Sequence, residues 1–369
     1  ERMEEAFNEI VEKNKGKRIA IFTHGNAMTF LMMKWCKVEN VTPNKEITLS
    51  YNGKIIFNKR LNSPEVFKLT LDEENNVKNI ENIDTSNVTN MTCMFLNCSS
   101  ITNLDLSNFD TSNVKEMISM FNGCEKLTNL NVDNFDISNV EEMNSMFSGC
   151  SSLTSLNLSS FKDNKVEMMN FIFSDCKNLT NLNLTNLKTN NATWMMSMFY
   201  NCKKLTNLDL KSFDTSNVTA MDDMFMECSS LTSLDLSNFN TSNVRNMYAM
   251  FLNCTNLRSL NISSFNTSNV YDMSDMFYGC QNLTSVDLSS FELTNSNNVR
   301  SMFEKCTQLK TIYVNSKWAM KDDCYGDSMF KNCTSLVGGA GTTFDSSHTG
   351  LEYAHIDGGT SNPGYLTEK

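Results

Sequence analysis

A cysteine recurs at every twenty-sixth position over most of this chain, and this spacing constrains the fold more than any other feature. The positions are Cys98, Cys124, Cys150, Cys176, Cys202, Cys228, Cys254, Cys280 and Cys306, and Cys333 follows with one extra position in the interval. A phenylalanine keeps the same interval, at Phe95, Phe121, Phe147, Phe173, Phe199, Phe225, Phe251, Phe277 and Phe303. A fixed period of this length is typical of solenoids, in which identical units stack on one another. The sequence therefore predicts an elongated array rather than several globular domains.

Before each cysteine, the apolar residues have the spacing of a short helix. Val114, Met117 and Phe121 fall at i, i+3 and i+7, on one face of a helix. Two residues before the valine stands a side chain that can cap a helix N-terminus. This column reads Ser86, Ser112, Ser138, Asn164, Asn190, Ser216, Ser242, Ser268 and Thr294. Gly or Asn precedes most cysteines, as at the left-handed residue that ends many helices. We therefore expect a helix of at most three turns in each copy.

A second periodicity follows each cysteine. Leu130 and Val132 alternate with polar residues, and equivalent pairs recur in the other copies, which indicates a short strand with one buried face. Because a helix is expected between consecutive strands, the strands must be parallel. The prediction is an α/β solenoid of helix–strand units with a parallel β-sheet. About nine to ten repeats span residues 84–337, a cap spans 338–369, and residues 1–83 form a separate segment.

The interior of this array is expected to be apolar, because no single copy can bury enough surface to fold alone. A methionine column fills it, since Met packs adaptably: Met91, Met117, Met143, Met169, Met195, Met221, Met247 and Met273. A disulfide requires two cysteine side chains that point toward each other. The cysteines on stacked parallel rungs instead point the same way. A single file of thiols also cannot converge on a tetrahedral metal ion. We predict free, buried thiols, no metal site and no cofactor.

The outward-facing strand position is the candidate ligand-binding sheet face. It reads Asp105, Asn131, Asn157, Asn183, Asp209, Asp235, Asn261, Asp287 and Tyr313. One interpretation is a solvated face with asparagine side chains bonded along the ladder. The other is a recognition surface for carbohydrate or protein, or for a divalent cation at Asp209 and Asp235. Calcium is disfavoured because each rung supplies only one carboxylate, and the face lacks most of the Trp, Tyr and Arg anchors of tight interfaces.

The charge of the chain excludes nucleic acid as a partner. The net charge is −11 and the isoelectric point is about 4.9, so no basic cluster is available to neutralise phosphates. No stretch has the 18 or more apolar residues of a membrane-spanning helix. No signal peptide is visible, but the chain starts at Glu1, so this decides little about location. Residues 1–80 carry a net charge of +2 and the rest −13, which indicates two different units joined near residue 83.

The repeats resemble a known family. The strings DTSNVTNMTCMFLNCSSITNLDLSNF and DTSNVKEMISMFNGCEKLTNL are similar to the 26-residue leucine-rich-type repeat of BspA-like bacterial surface proteins, over about residues 84–369. The tail from residue 336 resembles the closing segment of such arrays. The resemblance implies a leucine-rich-repeat-like solenoid at the cell surface or secreted. It also implies a non-catalytic role in adhesion to a protein or carbohydrate ligand of a host or another cell, with the oligomeric state left open.

Residues 1–83 have a different pattern. Residues 18–23 read as a buried strand, and His24 and Gly25 lead from it into a predicted helix at 27–36. A histidine at the carboxyl end of a parallel strand, beside a helix N-terminus, is well placed to meet an anion. A lone histidine in such a turn is more often structural than catalytic.

This segment resembles the C-terminal portion of histidine phosphatases, the phosphoglycerate-mutase-like superfamily, over about residues 1–83. The resemblance implies that His24 is the second histidine of the pocket, with backbone N–H groups of Gly25 and Asn26 binding phosphate. The chain has no Arg-His-Gly nucleophile motif, so we expect no activity from it alone. The alternative function is a phosphatase or phosphomutase activity of a longer, cytoplasmic parent protein. The segment is then either part of a truncated reading frame or a remnant that caps the first repeat.

Overall fold

The computed structural model describes residues 85–369 and, within residues 1–84, the backbone of six strands. These are β1 (Ile19–Ile21), β2 (Lys37–Val41), β3 (Glu46–Tyr51), β4 (Lys54–Arg60), β5 (Phe67–Leu71) and β6 (Val77–Asn82). They form two antiparallel sheets, in the orders β1-β5-β6 and β2-β3-β4. Strand β1 lies within the predicted strand 18–23, but its described pairing is antiparallel, which corrects the expectation of a parallel strand before His24.

The repeats form a ladder of very short parallel strands. They are β7 (Asn103–Leu104), β8 (Asn129–Leu130), β9 (Ser155–Asn157), β10 (Asn181–Asn183), β11 (Ser233–Asp235), β12 (Ser259–Asn261), β13 (Ser285–Asp287), β14 (Thr311–Val314) and β15 (Leu366–Glu368). Neighbouring rungs pair in parallel at the interval of the repeat, as between Leu104 and Leu130. The ladder is divided into the sheets β7-β8, β9-β10, β11-β12 and β13-β14-β15. The predicted parallel solenoid is confirmed, with the leucines inside.

The segment before each cysteine is a run of turns, and the predicted helix is wrong. The N–H of Met120 donates to the carbonyl of Met117, three residues back, at 3.3 Å. The N–H of Met117 instead donates to the carbonyl of Glu142 on the next rung, at 2.8 Å. Ser119 and Gly123 have φ values of 54° and 74°, in the left-handed region, which an α-helix excludes. In residues 85–369 the only helical elements are two short 3-10 turns, Leu351–Tyr353 and Gly359–Ser361.

Turns reproduce the helical spacing because a chain of three-residue steps also returns to the same side every third or fourth residue. The predicted capping column lies in turns of the loops rather than at the start of helices. Ser112 donates its N–H (3.0 Å) and its hydroxyl (2.6 Å) to the carboxylate of Asp110, which closes a turn of the loop. The residue before each cysteine is left-handed as predicted, even where Glu227 or Lys305 occupies it. Each repeat is therefore a coil of turns, and most repeats contain one short strand.

A continuous stack of phenylalanine rings runs through the core. The rings are Phe95, Phe121, Phe147, Phe173, Phe199, Phe225, Phe251, Phe277, Phe303 and Phe330, with centroids 5.3–6.0 Å apart and interplanar angles of 1–13°. These distances exceed the rung spacing of about 4.8 Å, so the rings are offset rather than eclipsed, which is the favoured geometry. The methionine column from Met91 to Met273 is buried beside them, as predicted.

The C-terminal residues close the last rung. Tyr365 places its ring edge-on against Phe330, with centroids 5.3 Å apart and an angle of 81°, and so ends the ring stack. Strand β15 pairs in parallel with β14 and extends the sheet. Asp357, only 8% exposed, accepts hydrogen bonds from Ala340, Thr342, Gly359 and Gly364. One buried carboxylate therefore holds together the loops that cover the apolar end of the array.

Candidate functional site

The polar sheet face is formed by the residues that stand outward on the strand ladder. Asn131, Asn157 and Asn183 are exposed on successive rungs, as are Asp105, Asp209, Asp235 and Asn261. Each lies next to an inward leucine or valine of the same rung, so the alternation of the strand places it in solvent. Adjacent rungs repeat at about 4.8 Å. The structure thus brings all the predicted positions into one file along the solenoid.

Hydrogen bonds along this file hold its side chains in place. Asn183 donates its amide to the Oδ1 of Asn157 (2.8 Å), and Asn157 donates to the Oδ1 of Asp133 (3.0 Å). Asn261 donates likewise to Asp235 (2.9 Å). The side-chain and backbone hydrogen bonds of Ser237 hold the pKa of the Asp235 carboxyl below its usual range. The face is therefore an ordered array of amides and carboxylates.

A shallow depression lies at the middle of the face. Its volume is about 460 Å³ and it spans three rungs. The lining residues are Ser155, Leu156, Asn157, Thr180, Asn181, Leu182, Asn183, Thr206, Asn207 and Asp209. Apart from two leucines, every one of them is polar. The depression can therefore accommodate a ligand that offers many hydroxyl or amide groups.

The C-terminal end of the file differs from its centre. Lys369 forms an ion pair with Asp287, and its ammonium lies 5.9 Å from the ring centroid of Tyr313. Asp287 and Tyr313 are consequently half-buried. The hydrogen bond from Lys369 and its charge hold the pKa of Asp287 below the usual range, against the opposing effect of burial. These two predicted positions are therefore already engaged within the chain.

Metal binding is not supported at this face. Asp209 and Asp235 stand on neighbouring rungs with one carboxylate each, and Asp209 accepts the N–H of Lys211 (3.1 Å). Across residues 85–369 no group of three or more His, Cys, Asp or Glu side chains is arranged to hold a metal ion. His24, Gly25 and Asn26, the predicted phosphate site, lie outside the described residues. His348 and His355 lie in the C-terminal cap, where His348 stands 3.4 Å from Asp345.

The cysteine column is part of the core rather than a reactive site. From Cys124 to Cys333, every repeated cysteine is buried and free, as predicted. Each donates its Sγ–H to the carbonyl of a phenylalanine on the preceding rung, at 2.9–3.3 Å. Burial raises the pKa of Cys124 and Cys228 to about 12. The thiolate, which is the nucleophile and metal ligand, is therefore suppressed.

We expect this difference in burial to control alkylation. At pH 8 in the native protein, iodoacetamide should label the exposed Cys93 at least about 100-fold faster than Cys150 or Cys254, because the buried thiols have no access and no thiolate. Peptide mapping by mass spectrometry over a time course measures the rates. The same peptides should label equally in denaturant, which serves as the control. Similar native rates for Cys93 and the column would contradict the buried ladder.

A second surface, which the repeat pattern did not predict, is formed by the turns before the cysteines. Trp194, Tyr248 and Tyr271 are exposed there by 38–48%, beside Asp222 and Asp223. The available signal was an aromatic residue at positions where most other copies carry a non-aromatic one. Only the folded coil places the three on one face within four successive rungs.

The parallel ladder, the stacked rings and the short rungs define a leucine-rich-repeat-like β-solenoid. Residues 61–181, 125–234, 169–260 and 228–341 match the family described as "Mycoplasma protein of unknown function, DUF285", and the chain belongs to this family. Residues 1–54 match the histidine phosphatase superfamily (branch 1). The histidine phosphatase match therefore covers less than the predicted segment 1–83, and the match to the repeat family begins at residue 61. No curated protein matches this chain.

Solved structures of several bacterial repeat proteins are similar to the chain at low identity. A leucine rich cell surface protein from Faecalibacterium prausnitzii A2-165 is 16% identical, with a TM-score of 0.34, covering 73% of this chain and 91% of that one. A leucine-rich repeat protein from Bacteroides ovatus ATCC 8483 is 14% identical, with a TM-score of 0.30, covering 82% and 92%. An LRR protein from Leptospira interrogans is 14% identical, with a TM-score of 0.23, covering 63% and 72%. Within the described residues no helix is long and apolar enough to cross a bilayer.

Proposed function

We propose that this chain is a non-catalytic recognition scaffold whose polar sheet face binds a carbohydrate or protein ligand. The observation that carries the proposal is the file of exposed amides and carboxylates held in register by Asn183, Asn157 and Asp133. Side chains fixed before binding lose little rotamer entropy when a ligand arrives. A polyhydroxylated chain lying along the rungs would meet the same donors and acceptors at each step, which favours carbohydrate over protein. Proteins are also the less favoured ligand because the face has few aromatic or arginine anchors.

The cell exterior is the location that this proposal assigns to the scaffold. The support is the resemblance of the repeats to BspA-like surface proteins, in which such arrays are associated with adhesion. A host component or another cell surface would then supply the ligand. A cytoplasmic location is the alternative, and it goes with the match of residues 1–54 to the histidine phosphatase superfamily.

We expect the sheet face to bind a ligand with an affinity that two substitutions on this face lower. The full chain should be screened against a glycan array and immobilised matrix proteins. For any ligand found, Asn157→Ala/Asn183→Ala should weaken binding at least about tenfold, because both central amides of the file are lost. The matched control is Asn87→Ala/Asn190→Ala, two exposed asparagines with only local partners off this face. Equal affinity of wild type and the Asn157→Ala/Asn183→Ala variant for every ligand would contradict the proposal.

A second function is supported by the histidine phosphatase match alone. It would belong to a longer parent protein, in which His24 assists phosphoryl transfer and a separate Arg-His-Gly motif supplies the nucleophile. This chain contains no such motif. Hydrolysis of a generic phosphoester by this chain, abolished by His24→Ala, would place the phosphatase function first.

A further inference from the structure

The second surface, which we call the turn face, consists of the turns that precede the cysteines. An unbroken column of parallel bridges runs along it from Trp194 to Asp272, one bridge for each rung. Trp194 is 42% exposed, and Tyr248 and Tyr271 on the following rungs are 38% and 48% exposed. Three aromatic rings therefore stand in solvent within four successive rungs. Isolated exposed aromatics are common, whereas several on one face form a candidate interaction site.

Two carboxylates lie on the rung between the tryptophan and the first tyrosine. The carbonyl of Asp222 accepts the N–H of Ser197 (2.9 Å), and the N–H of Asp223 donates to the carbonyl of Tyr248 (2.9 Å), so backbone bonds fix both residues. The Oδ1 atoms of Asp222 and Asp223 are buried and have no hydrogen-bond partner in the structure. Burial, followed by the charge of Asp222, raises the pKa of Asp223 to about 6. A buried acceptor without a donor is costly, and a cation close to either carboxylate would stabilise its charge.

The surroundings of Tyr248 are acidic. Burial raises its pKa, and so do the charges of Asp275, Asp223 and Asp272. No ion pair reaches Asp222 or Asp223 from any residue in 85–369. Aromatic faces attract cations, more strongly when desolvated, and a field of one sign draws ligands of the other. Charge and rings therefore both favour a cationic occupant.

Two lysines of the chain already contact tyrosine rings. Lys305 donates to the hydroxyl of Tyr278, and its ammonium lies 4.7 Å from the ring centroid. The ammonium of Lys369 lies over Tyr313 and pairs with Asp287. The turn face offers rings and carboxylates of the same kind, and Arg245, an exposed cation on the rung of Tyr248, forms no ion pair with Asp222 or Asp223 among residues 85–369.

We propose that Trp194, Asp222, Asp223, Tyr248 and Tyr271, together the aromatic–acidic patch, bind an extended lysine- or arginine-containing segment of a protein partner. The ammonium or guanidinium groups stack on the rings and pair with the two aspartates. Three rung steps of about 4.8 Å span about 14 Å, which four or five extended residues at about 3.3 Å each cover. The patch is independent of the polar sheet face, so the two sites can be occupied together.

The test uses the full chain and a fluorescein-labelled peptide of six arginines alternating with serines, measured by anisotropy at about 0.1 M salt. Asp222→Asn/Asp223→Asn should weaken binding at least about tenfold, and Trp194→Ala at least about fivefold. The matched control is Asp322→Asn/Asp323→Asn, which removes the same charge from an adjacent exposed pair and should change affinity less than about twofold. A peptide with citrulline in place of arginine should not bind.

Folding of each variant is checked by circular dichroism, and no loss is expected, since the substitutions are isosteric or on the surface. Equal weakening by the two aspartate pairs would overturn the proposal, because binding would then reflect net charge alone. Unchanged binding in Trp194→Ala, retained binding of the citrulline peptide, or no binding at all would also overturn it. Binding of an uncharged glycan, lost in Trp194→Ala, would assign the patch to carbohydrate instead.

Discussion

Replacing Phe225 by alanine is expected to destabilise the solenoid by about 3–5 kcal/mol, the usual cost of removing a buried aromatic ring. The Phe225 ring is fully buried at the centre of the stack, with centroids 5.6 Å from those of Phe199 and Phe251. Its removal interrupts a column that every rung shares, so no neighbouring coil can fill the space without moving its own ring. Urea unfolding followed by circular dichroism measures the loss.

The matched control is Phe171→Ala, in the same array. Phe171 is 40% exposed and has a φ of 56°, a conformation that bulky side chains rarely adopt. Its loss should change stability by less than about 1 kcal/mol, as is usual for a surface position. Each repeat of such an array contacts only the adjacent repeats. Hydrogen exchange in Phe225→Ala should therefore rise first in the rungs around residue 225. Equal effects of the two substitutions would refute the stacked core.

Replacing Asp357 by asparagine is expected to release the C-terminal cap, at a cost of about 3 kcal/mol. Its carboxylate accepts the N–H of Ala340 (2.8 Å) and Gly359 (2.9 Å) and the hydroxyl of Thr342 (2.6 Å). Hydrogen bonds to a charged group contribute about 1.5–3 kcal/mol each. The asparagine side chain has only one acceptor oxygen, and its NH₂ group would face N–H and O–H groups that also donate. Hydrogen exchange should then increase at Tyr365 and in the last rung.

Acid should reproduce the effect of this substitution. The hydrogen bonds of Thr342, Gly359 and Gly364 hold the pKa of Asp357 well below its usual range, against the effect of burial. The ionised form therefore stabilises the cap fully above the unfolded-state pKa of about 3.9, and the contribution is lost progressively as the pH falls from there through the depressed folded-state pKa. Asp357→Asn should lose this part of the pH dependence, which begins near about pH 5 and continues below about pH 3.

Asp345→Asn is the control for the cap. Its carboxylate accepts the N–H and the hydroxyl of Ser347 (2.8 and 2.7 Å), but it is exposed. The substitution should cost less than about 1 kcal/mol, because water replaces the lost bonds. If Asp357→Asn left the exchange of the last rung unchanged, the buried carboxylate would not be what closes the array.

The repeat period was sufficient to predict the stacking of the coils and most of the core. A strict and constant interval places Phe121 next to Phe147, and Leu104 next to Leu130, in any regular stack. Alternation then assigns Asn131 and Asn157 to the outside. These conclusions need only the period and the rule that strand side chains alternate, and the structure agrees with them.

The local backbone could not be predicted in the same way. Val114, Met117 and Phe121 fit a helical face. In the structure, however, backbone hydrogen bonds to the next rung, such as that from Met117 to Glu142, replace the hydrogen bonds of a helix. These hydrogen bonds form only when a second coil is present. The left-handed φ values of Ser119 and Gly123 follow from them, because the chain must turn sharply to keep alternate N–H groups pointing along the stack.

The sequence by itself determined that the coils are stacked, parallel and apolar inside, because a repeat fixes which residues share a column. Only the tertiary structure decided what each coil looks like and which exceptions to the repeat meet on its surface. Trp194, Asp222 and Tyr248 belong to three different copies of the repeat and come to lie on three successive rungs through the rung spacing and the turn geometry together. Hydrogen bonds between coils set that geometry, and they have no counterpart within a single copy.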